Sequence, residues 1–185
     1  LYLMEVHGQT DFYKDLYERC IQMNKATYSH GQWQLAFVYN CCITANTDLR
    51  PFFEKWGWLT PTKQIVNDYG TDTLSVTQRD IETLNKEISS LHLPLLTDAV
   101  EYLTDKNLHL YQHPQTPMTG NVQYNNAGTI HITDSQGIVA FEVFNENTLV
   151  GVSHNTTFKL PTSQSYDFDK LRIIAILHNG KRIEY

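Results

Sequence analysis

Two histidines four residues apart, His109 and His113, are the first residues whose spacing suggests chemistry. On a helix such a pair faces one way and can bind zinc, and the zinc motif of many metalloproteases also needs a Glu directly after the first His. Leu110 stands at that position instead. Pro114 follows the second histidine and disfavours a helix through it. We therefore predict no metal ligand and no catalytic residue in this pair.

The other histidines and the three cysteines form weaker patterns. Six histidines lie without a carboxylate or cysteine at ligand spacing, namely His7, His30, His92, His131, His154 and His178. A site of three histidines assembled by the fold stays open. A nucleophilic cysteine must be exposed and partly ionised. Cys20 falls on a predicted buried stripe, and Cys41 and Cys42 fall inside an apolar segment, so we predict that all three pack as small apolar residues.

Two polar motifs have both a functional and an ordinary interpretation. Asp167 and Asp169, in SYDFDK, could contribute to a calcium site, but such sites need six to eight oxygen ligands and a solvated loop has the same composition. Asn155, Thr156 and Thr157 have the form of a glycosylation sequon, which short polar turns also produce by chance. We assign no function to either motif.

Aromatic residues outside the predicted helices and strands are the remaining candidates for binding. Flat aromatic faces stack on sugar rings, so we expect possible glycan or substrate contacts at Trp58, Tyr111, Tyr124 and Tyr166. The alternative for Trp58 is that it closes the base of a helical core together with Trp56.

The element that must position the first of these aromatics is an apolar helix. Nearly every residue between Trp33 and Ala45 is apolar, and a helix that is apolar all round must be covered by other elements. Ser29 with Gln32 predicts a capping box at its start. After a break at residues 46–48, a second, shorter helix carries the segment DLRPFFEKW, and its proline is tolerable only in the first turn. Gly57 predicts its end.

This helix pair, with DLRPFFEKWGW at its end, resembles the C-terminal helical part of the enhancin-like zinc metallopeptidases, the mucin-directed peptidase family M60. The preceding helical segment, DFYKDLYERCIQM, is similar to the same region. The resemblance covers roughly residues 1–60 and is weaker in the later β-rich part. The zinc motif of that family, HExxH with a further Glu downstream, is absent from the 185 residues.

The resemblance implies a parent protein that cleaves mucin-type glycoproteins with a zinc-activated water. We expect this chain to be its C-terminal part, cut downstream of the zinc ligands, with no cofactor of its own and no activity alone. The chain begins at Leu1 without a signal peptide, which we interpret as the start of a fragment. The parent would be secreted or displayed on a bacterial cell surface.

Composition limits the partners. With 41% hydrophobic and 18% charged residues the chain is predicted to fold. The net charge is -6 and neither half is basic, so a nucleic acid is not an expected partner. No apolar run approaches the ~20 residues that span a bilayer, so we expect no transmembrane segment.

Periodicity predicts the other helices. An amphipathic helix covers residues 11–23, and residues 59–73 are expected to form a loop. A third helix is predicted from Val76 to Leu91, with a capping box of Ser75 and Gln78. Its apolar stripe is Ile81, Leu84, Ile88 and Leu91. A fourth helix is predicted from about Thr97 or Asp98 to Asn107, and residues 113–120 are expected to link two units.

Beyond that link the apolar period changes to two, which predicts seven short strands. They cover residues 121–124, 128–133, 138–145, 148–153, 157–160, 171–178 and 182–185. Asn179 and Gly180 are the strongest hairpin signal. The predicted fold class is α+β: an N-terminal helical bundle subdomain, residues 1–113, followed by a small antiparallel immunoglobulin-like β-sandwich, residues 114–185.

Three functions remain open from the sequence. The first is the C-terminal fragment of a secreted zinc metallopeptidase, supplying the helical wall of the substrate cleft and an accessory β domain. The second is a non-enzymatic cell-surface module that binds glycan or protein. The third is a structural spacer without a ligand.

Overall fold

The structure is a computed structural model that describes residues 1–23, 28–67, 70–125, 128–161 and 166–185. The chain divides into two compact units. The first comprises Leu3–Leu96 with Leu1, and the second comprises Thr97–Tyr185 with Tyr2. Helices and antiparallel sheets are both present, so the α+β class is confirmed. The predicted domains, 1–113 and 114–185, stay a prediction.

Three of the described helices are long, and the others have six residues or fewer. Six α-helices are described: α1 Tyr2–Glu5, α2 Phe12–Gln22, α3 His30–Ala45, α4 Arg50–Lys55, α5 Gln78–Ser90 and α6 Leu108–Gln112. Single 3-10 turns cover Val100–Tyr102 and Phe168–Lys170. Within the described residues, no helix has the length and apolar composition to cross a bilayer.

The apolar helix α3 is the centre of the first unit, as predicted. Its capping box is present: the Gln32 amide donates to Ser29 Oγ at 3.3 Å, and the Ser29 amide donates to Gln32 Oε1 at 2.8 Å. Asn46 ends the helix in the left-handed conformation with φ 47°. α3 packs against α2, α4, α5 and a strand, so its buried residues form the core of this unit.

The prediction of a loop over residues 59–73 is wrong. Strands β1, Thr62–Asn67, and β2, Thr71–Val76, form an antiparallel hairpin with register from Thr62↔Val76 to Asn67↔Thr71. β1 is rich in β-branched residues, which favour strands. It is exposed on both faces along most of its length, so the sequence lacks the apolar alternation that identifies a half-buried strand.

The start of the next helix also differs from the prediction. Ser75 and Val76 belong to β2, and α5 begins after Thr77. The capping box is therefore Thr77 with Asp80, whose carboxylate accepts from the Thr77 amide at 2.9 Å. The predicted stripe is buried at Ile81, Leu84 and Ile88, whereas Leu91 is exposed.

The helix predicted over residues 97–107 is wrong as well. This range contains only the 3-10 turn Val100–Tyr102, and α6 begins after it. Side chains in the turn between them bond to the backbone and so compete with continuous helical hydrogen bonding. Asn107 Oδ1 accepts from the Thr104 amide at 2.7 Å, and Asn107 Nδ2 donates to the carbonyls of Tyr102 at 2.8 Å and Val139 at 3.0 Å.

All seven predicted strands of the second unit are confirmed. They are β3 Val122–Tyr124, β4 Thr129–Ile132, β5 Ile138–Asn145, β6 Thr148–Ser153, β7 Thr157–Lys159, β8 Leu171–Leu177 and β9 Arg182–Glu184. They form two antiparallel sheets with the orders β3-β4-β7 and β6-β5-β8-β9. The Asn179-Gly180 turn joins β8 to β9, and Gly180 has a φ of +76°.

Both sheets contribute to one hydrophobic core. Its buried residues are Ile130, Ile132, Ile138, Phe141, Val143, Leu160, Ile173, Ala175 and Leu177. Strand β4 of the first sheet and strands β5 and β8 of the second therefore face each other across a shared interior.

Candidate functional site

Trp58 combines a packing role with an exposed edge. Its ring lies 5.6 Å from that of Phe37 on α3 and 5.5 Å from that of Phe53 on α4, measured between centroids. The Gln34 side chain donates to the Trp58 carbonyl at 2.6 Å. Trp58 is still 37% exposed, so it closes the base of α3 and α4 and also presents aromatic surface to solvent.

Trp56, which was expected to share that packing role, lies mostly outside the core. It is 62% exposed, and its ring contacts only the edge of the cluster through Phe52 at 5.9 Å. The aromatic residues of α4 and of its C-terminal cap thus continue from the core at Phe53 to the surface at Trp56.

Tyr111 is buried, and its interpretation as an exposed aromatic residue is wrong. It lies on α6 with 4% exposure, and its hydroxyl donates to the Ala99 carbonyl at 2.7 Å. Burial, followed by the nearby charges of Glu101 and Asp98, raises the pKa of the Tyr111 phenol. The sequence placed this residue near a proline-rich link, but α6 turns its ring inward.

Tyr124 and Tyr166 lie in the second unit, and they differ in exposure. Tyr124, at the end of the edge strand β3, is 39% exposed and packs at 5.3 Å on the ring of Phe168. Tyr166 is half-buried against the core shared by the two sheets. Phe168 was missed by the sequence analysis, because it lies in a short polar segment without apolar spacing.

The histidines are engaged in separate contacts. His109 lies on α6, and His113 is the residue at its end, so the helix runs almost to Pro114. His30 Nδ1 lies 2.9 Å from Asp72 Oδ2, and His131 Nδ1 lies 2.7 Å from Thr157 Oγ1. Across the described residues, no three His, Cys, Asp or Glu side chains are grouped so that they could hold a metal ion. We therefore assign no zinc ligand.

The prediction that Cys41 and Cys42 are packing residues is confirmed. Both are buried in α3, and the Cys42 sulfur accepts from the Leu49 amide at 3.3 Å. Burial raises the pKa of the Cys41 thiol to about 12 and that of the Cys42 thiol to about 11. Thiols of this kind are not nucleophiles near neutral pH. Cys20 is only partly buried.

The buried Asp48 and the partly buried Arg50 form an ion pair that the sequence analysis missed. Arg50 Nη2 lies 2.5 Å from Asp48 Oδ2, and Arg50 Nη1 also donates to the Asn85 carbonyl at 3.0 Å on α5. Burial alone would raise the pKa of Asp48, but the hydrogen bonds from Arg50 outweigh it and hold that pKa below its usual value. The pair fixes the start of α4 against α5.

A second buried carboxylate, Glu142 on β5, has two partners in the second unit. The Tyr102 hydroxyl and the Arg182 guanidinium both donate to it. In the segment SYDFDK, to which the sequence analysis assigned no function, Asp167 pairs with Lys170 at 3.1 Å, and the side chain of Asp169 lies outside the described part of the chain.

Comparison with known proteins gives matches among solved structures. No family model matches the chain, and no curated protein matches it. A metallopeptidase from Bacteroides thetaiotaomicron superposes with a TM-score of 0.72 at 22% identity, covering 100% of this chain and 34% of that one. A metallopeptidase in complex with Tn antigen gives a TM-score of 0.72 at 22% identity, covering 100% and 38%.

A more distant match is the M60 catalytic domain of ZmpC from Clostridium perfringens, in complex with the sialyl T antigen. Its TM-score is 0.51 at 17% identity, covering 98% of this chain and 35% of that one. This chain therefore spans about a third of the length of these metallopeptidases, and over its whole length it has the fold of a part of them.

Proposed function

We propose that this chain is the C-terminal portion of a secreted, enhancin-like zinc metallopeptidase of the M60 group that acts on mucin-type glycoproteins. The observation that carries the proposal is the superposition of the entire chain on metallopeptidases three times its length. The segment DLRPFFEKWGW supports the same assignment from the sequence side.

In this proposal the first unit forms one wall of the substrate cleft. The packing of α3 against α2, α4 and α5 makes a rigid support. The Asp48–Arg50 pair and Trp58 fix the break between α3 and α4 on either side. Zinc would activate water in the parent, and its ligands would come from the rest of that protein, since the described residues hold no suitable group. We derive no catalytic step from these residues.

We further propose that the seven strands form an accessory domain of immunoglobulin-like kind. Their first, second and fifth strands make one sheet, and the third, fourth, sixth and seventh make the other. This division supports the proposal because immunoglobulin-type sandwiches pair A-B-E and C-F-G in the same way. The fourth strand pairs with the third and extends the second sheet on that side, where variable-type domains add the C′ strand next to C.

Glycan recognition is the substrate feature that the neighbours suggest, because two of them are complexes with Tn antigen and sialyl T antigen. Of the four aromatic residues predicted to contact glycan or substrate, Trp58 and Tyr124 keep exposed ring surface. We propose these two as contacts. Tyr111 is buried, and Tyr166 offers only part of its ring.

The test compares the 185-residue chain with the longer parent protein. Bound zinc is measured by mass spectrometry, and cleavage is followed on a peptide carrying O-linked N-acetylgalactosamine and on the same peptide without sugar. We expect zinc and glycan-dependent cleavage only in the parent, abolished by a chelator and restored by zinc. Stoichiometric zinc and cleavage in the 185-residue chain would contradict the proposal.

A second candidate is a non-enzymatic module that binds glycan, favoured by Tyr124, which is 39% exposed on the edge strand β3 and packs against the ring of Phe168. Titration of the chain with O-glycosylated peptides tests it, with Tyr124→Ala as the variant and Leu149→Ala, another exposed apolar residue of the same unit, as the control. Binding lost only in the first variant, together with a parent that lacks peptidase activity, would favour this candidate.

A further inference from the structure

An apolar groove runs between α2 and α3 in the first unit. Its volume is about 500 Å³. The residues that line it are Tyr13, Leu16, Tyr17, Cys20, Met23, Trp33 and Phe37. Two of them are unusually exposed for aromatic residues on a helix, Tyr13 at 62% and Tyr17 at 66%. They stand one helical turn apart on α2, so together they form one wall of the groove.

The floor of the groove is the incompletely covered face of α3. Leu35, Val38 and Cys42 on the opposite side of this helix are buried. Trp33 and Phe37, one turn apart, are only partly buried by the described residues. A helix that is apolar all round needs a neighbour on every side. In the described part of the chain, α2, α4, α5 and β2 pack against α3, and the groove is a stretch of its surface that they leave open.

The chemistry of the lining indicates what can occupy the groove. None of the lining side chains carries a formal charge or an amide group. Their polar atoms are limited to two phenol hydroxyls, an indole N–H and sulfur. Sites for sugars and other polar small molecules need convergent hydrogen-bonding groups to fix the ligand. An apolar surface of this kind instead fits the apolar face of a polypeptide helix, which anchors through side chains spaced three and four residues apart.

We propose that the groove receives apolar side chains from the part of the parent polypeptide that lies outside these 185 residues. The superposed metallopeptidases match the whole of this chain with only 34% and 38% of their own lengths, so most of each neighbour lies beyond the matched part. The inference rests on the proposed function, because it takes this chain as a portion of such a protein. The groove is then the face of the first unit against which the rest of the parent polypeptide packs.

Cys20 provides a direct measure of occupancy because its thiol lines the groove and is partly exposed. We expect iodoacetamide to alkylate Cys20 in the 185-residue chain and, in the parent, to do so more slowly by about tenfold or more, since covered groups react only after local opening. Cys41 and Cys42 are buried within the chain and serve as internal controls. Equal rates at Cys20 in chain and parent would overturn the proposal.

The matched variants lie on one helix. Tyr13→Ser with Tyr17→Ser alters the groove, and Lys14→Ser with Glu18→Ser alters exposed neighbours on α2 that do not line it. We expect the tyrosine variant to lower the Tm of the parent by about 4 °C or more while changing that of the 185-residue chain by less than about 2 °C. An equal fall in both would show that the tyrosines only support α2, and would overturn the proposal.

Two other occupants are distinguished by the same proteins. Sedimentation of the 185-residue chain as a dimer that protects Cys20, and that the tyrosine variant dissociates, would assign the groove to a second copy and overturn the proposal. Protection of Cys20 by an O-glycosylated peptide in the 185-residue chain would assign the groove to a glycan and would also overturn the proposal. None of these experiments measures cleavage or bound zinc. A parent without peptidase activity can therefore still confirm that its remaining residues pack in this groove.

Discussion

The two units of the chain differ in how completely they cover their apolar residues. In the second unit, two sheets face each other and enclose nine buried core residues. In the first unit, α3 is covered on most sides, but large apolar side chains remain on the surface. Those of the first unit are Leu1, Tyr13, Tyr17, Ile21, Tyr28, Trp56, Trp58, Ile65, Leu91 and Leu95; those of the second are Met118, Tyr124, Leu149 and Val152.

This difference indicates how each unit is stabilised. Two sheets that pack face to face bury their inner faces against each other. A central helix that is apolar all round is satisfied only when elements surround it, and exposed apolar patches usually mark an interaction surface. The second unit thus buries its apolar core between its own sheets, whereas the first leaves more large apolar side chains exposed.

The largest effect is expected from a cavity in the enclosed core. Ile173 on β8 is buried to 1% exposure, and Ile173→Ala is expected to lower the free energy of unfolding of the second unit by about 2–5 kcal/mol. All three tryptophans lie in the first unit, so the loss is measured by hydrogen exchange of peptides from β5 and β8. Val152→Ala, on the exposed side of β6, should change it by less than about 0.5 kcal/mol. A loss below about 1 kcal/mol at Ile173 would show that this core is not closed.

Gly31 tests how tightly the covered side of α3 is packed. A Cβ at this position would lie 1.8 Å from the Ser75 carbonyl oxygen of β2. Helix propensity alone favours Gly31→Ala by about 1 kcal/mol. The clash instead predicts a net loss of about 1–3 kcal/mol, which tryptophan fluorescence during urea unfolding reports. In the second unit, a Cβ at Gly120 would lie 1.9 Å from the Thr133 carbonyl oxygen. The loss of stability that Gly120→Ala causes should therefore be measurable by hydrogen exchange in that unit. A gain of stability at Gly31 would mean that the hairpin packs loosely on α3.

Arg182 and Arg172 form a matched pair on neighbouring strands of the second unit. Arg182 pairs with Glu142, whose side chain is 6% exposed, whereas Arg172 pairs at 2.9 Å with the exposed Glu184. Arg182→Met leaves the buried carboxylate with the Tyr102 hydroxyl alone. We expect a loss of about 1–2 kcal/mol, discounted because Arg182 itself is half-exposed. Arg172→Met should cost less than about 1 kcal/mol. Equal losses by hydrogen exchange would mean that Glu142 is solvated.

Local signals in the sequence predicted those parts of the fold that local physics determines. The Ser29–Gln32 capping box begins α3 and the left-handed Asn46 ends it, and both signals are local in the sequence. The strands of the second unit alternate in burial or are flanked by turn residues. Asn179-Gly180 forms the tight turn of its hairpin because Gly180 adopts a positive φ. The β1–β2 hairpin was missed because exposed strands have no apolar alternation, and α6 was missed because the turn before it is held by a hydrogen bond from Asn107 to distant Val139.

The candidate site was less predictable than the fold, because exposure depends on partners far along the chain. Tyr111 looked exposed beside a proline, but its hydroxyl reaches the Ala99 carbonyl twelve residues back. Trp58 was identified correctly as an aromatic at the end of a helix, while its contact with Phe37 depends on how α4 returns to α3. The Asp48–Arg50 pair has a spacing of two, which no motif identifies, and only its buried position gives it significance.

The smallest effect is the pH dependence that the buried thiols add to the first unit. Burial raises the pKa of Cys41 to about 12 and that of Cys42 to about 11, from 9.0. A raised pKa contributes stability that is complete below pH 9 and is lost as pH rises through 9 toward 12, because only the unfolded chain then releases the proton. At pH 9 the loss is about 0.4 kcal/mol for each thiol, and it grows above that pH. Urea unfolding followed by tryptophan fluorescence at increasing pH measures it.

The double variant Cys41→Ala with Cys42→Ala is the control, because it removes both thiols and keeps every other titrating group of the first unit. Its stability near neutral pH will differ, since the replacements change packing in α3, so only the slope against pH is compared. We expect a shallower alkaline loss in the variant than in the unaltered chain. Parallel curves would mean that both thiols ionise in the folded protein. Water would then reach this part of α3, and the contrast between a covered and an uncovered side of the helix would fail.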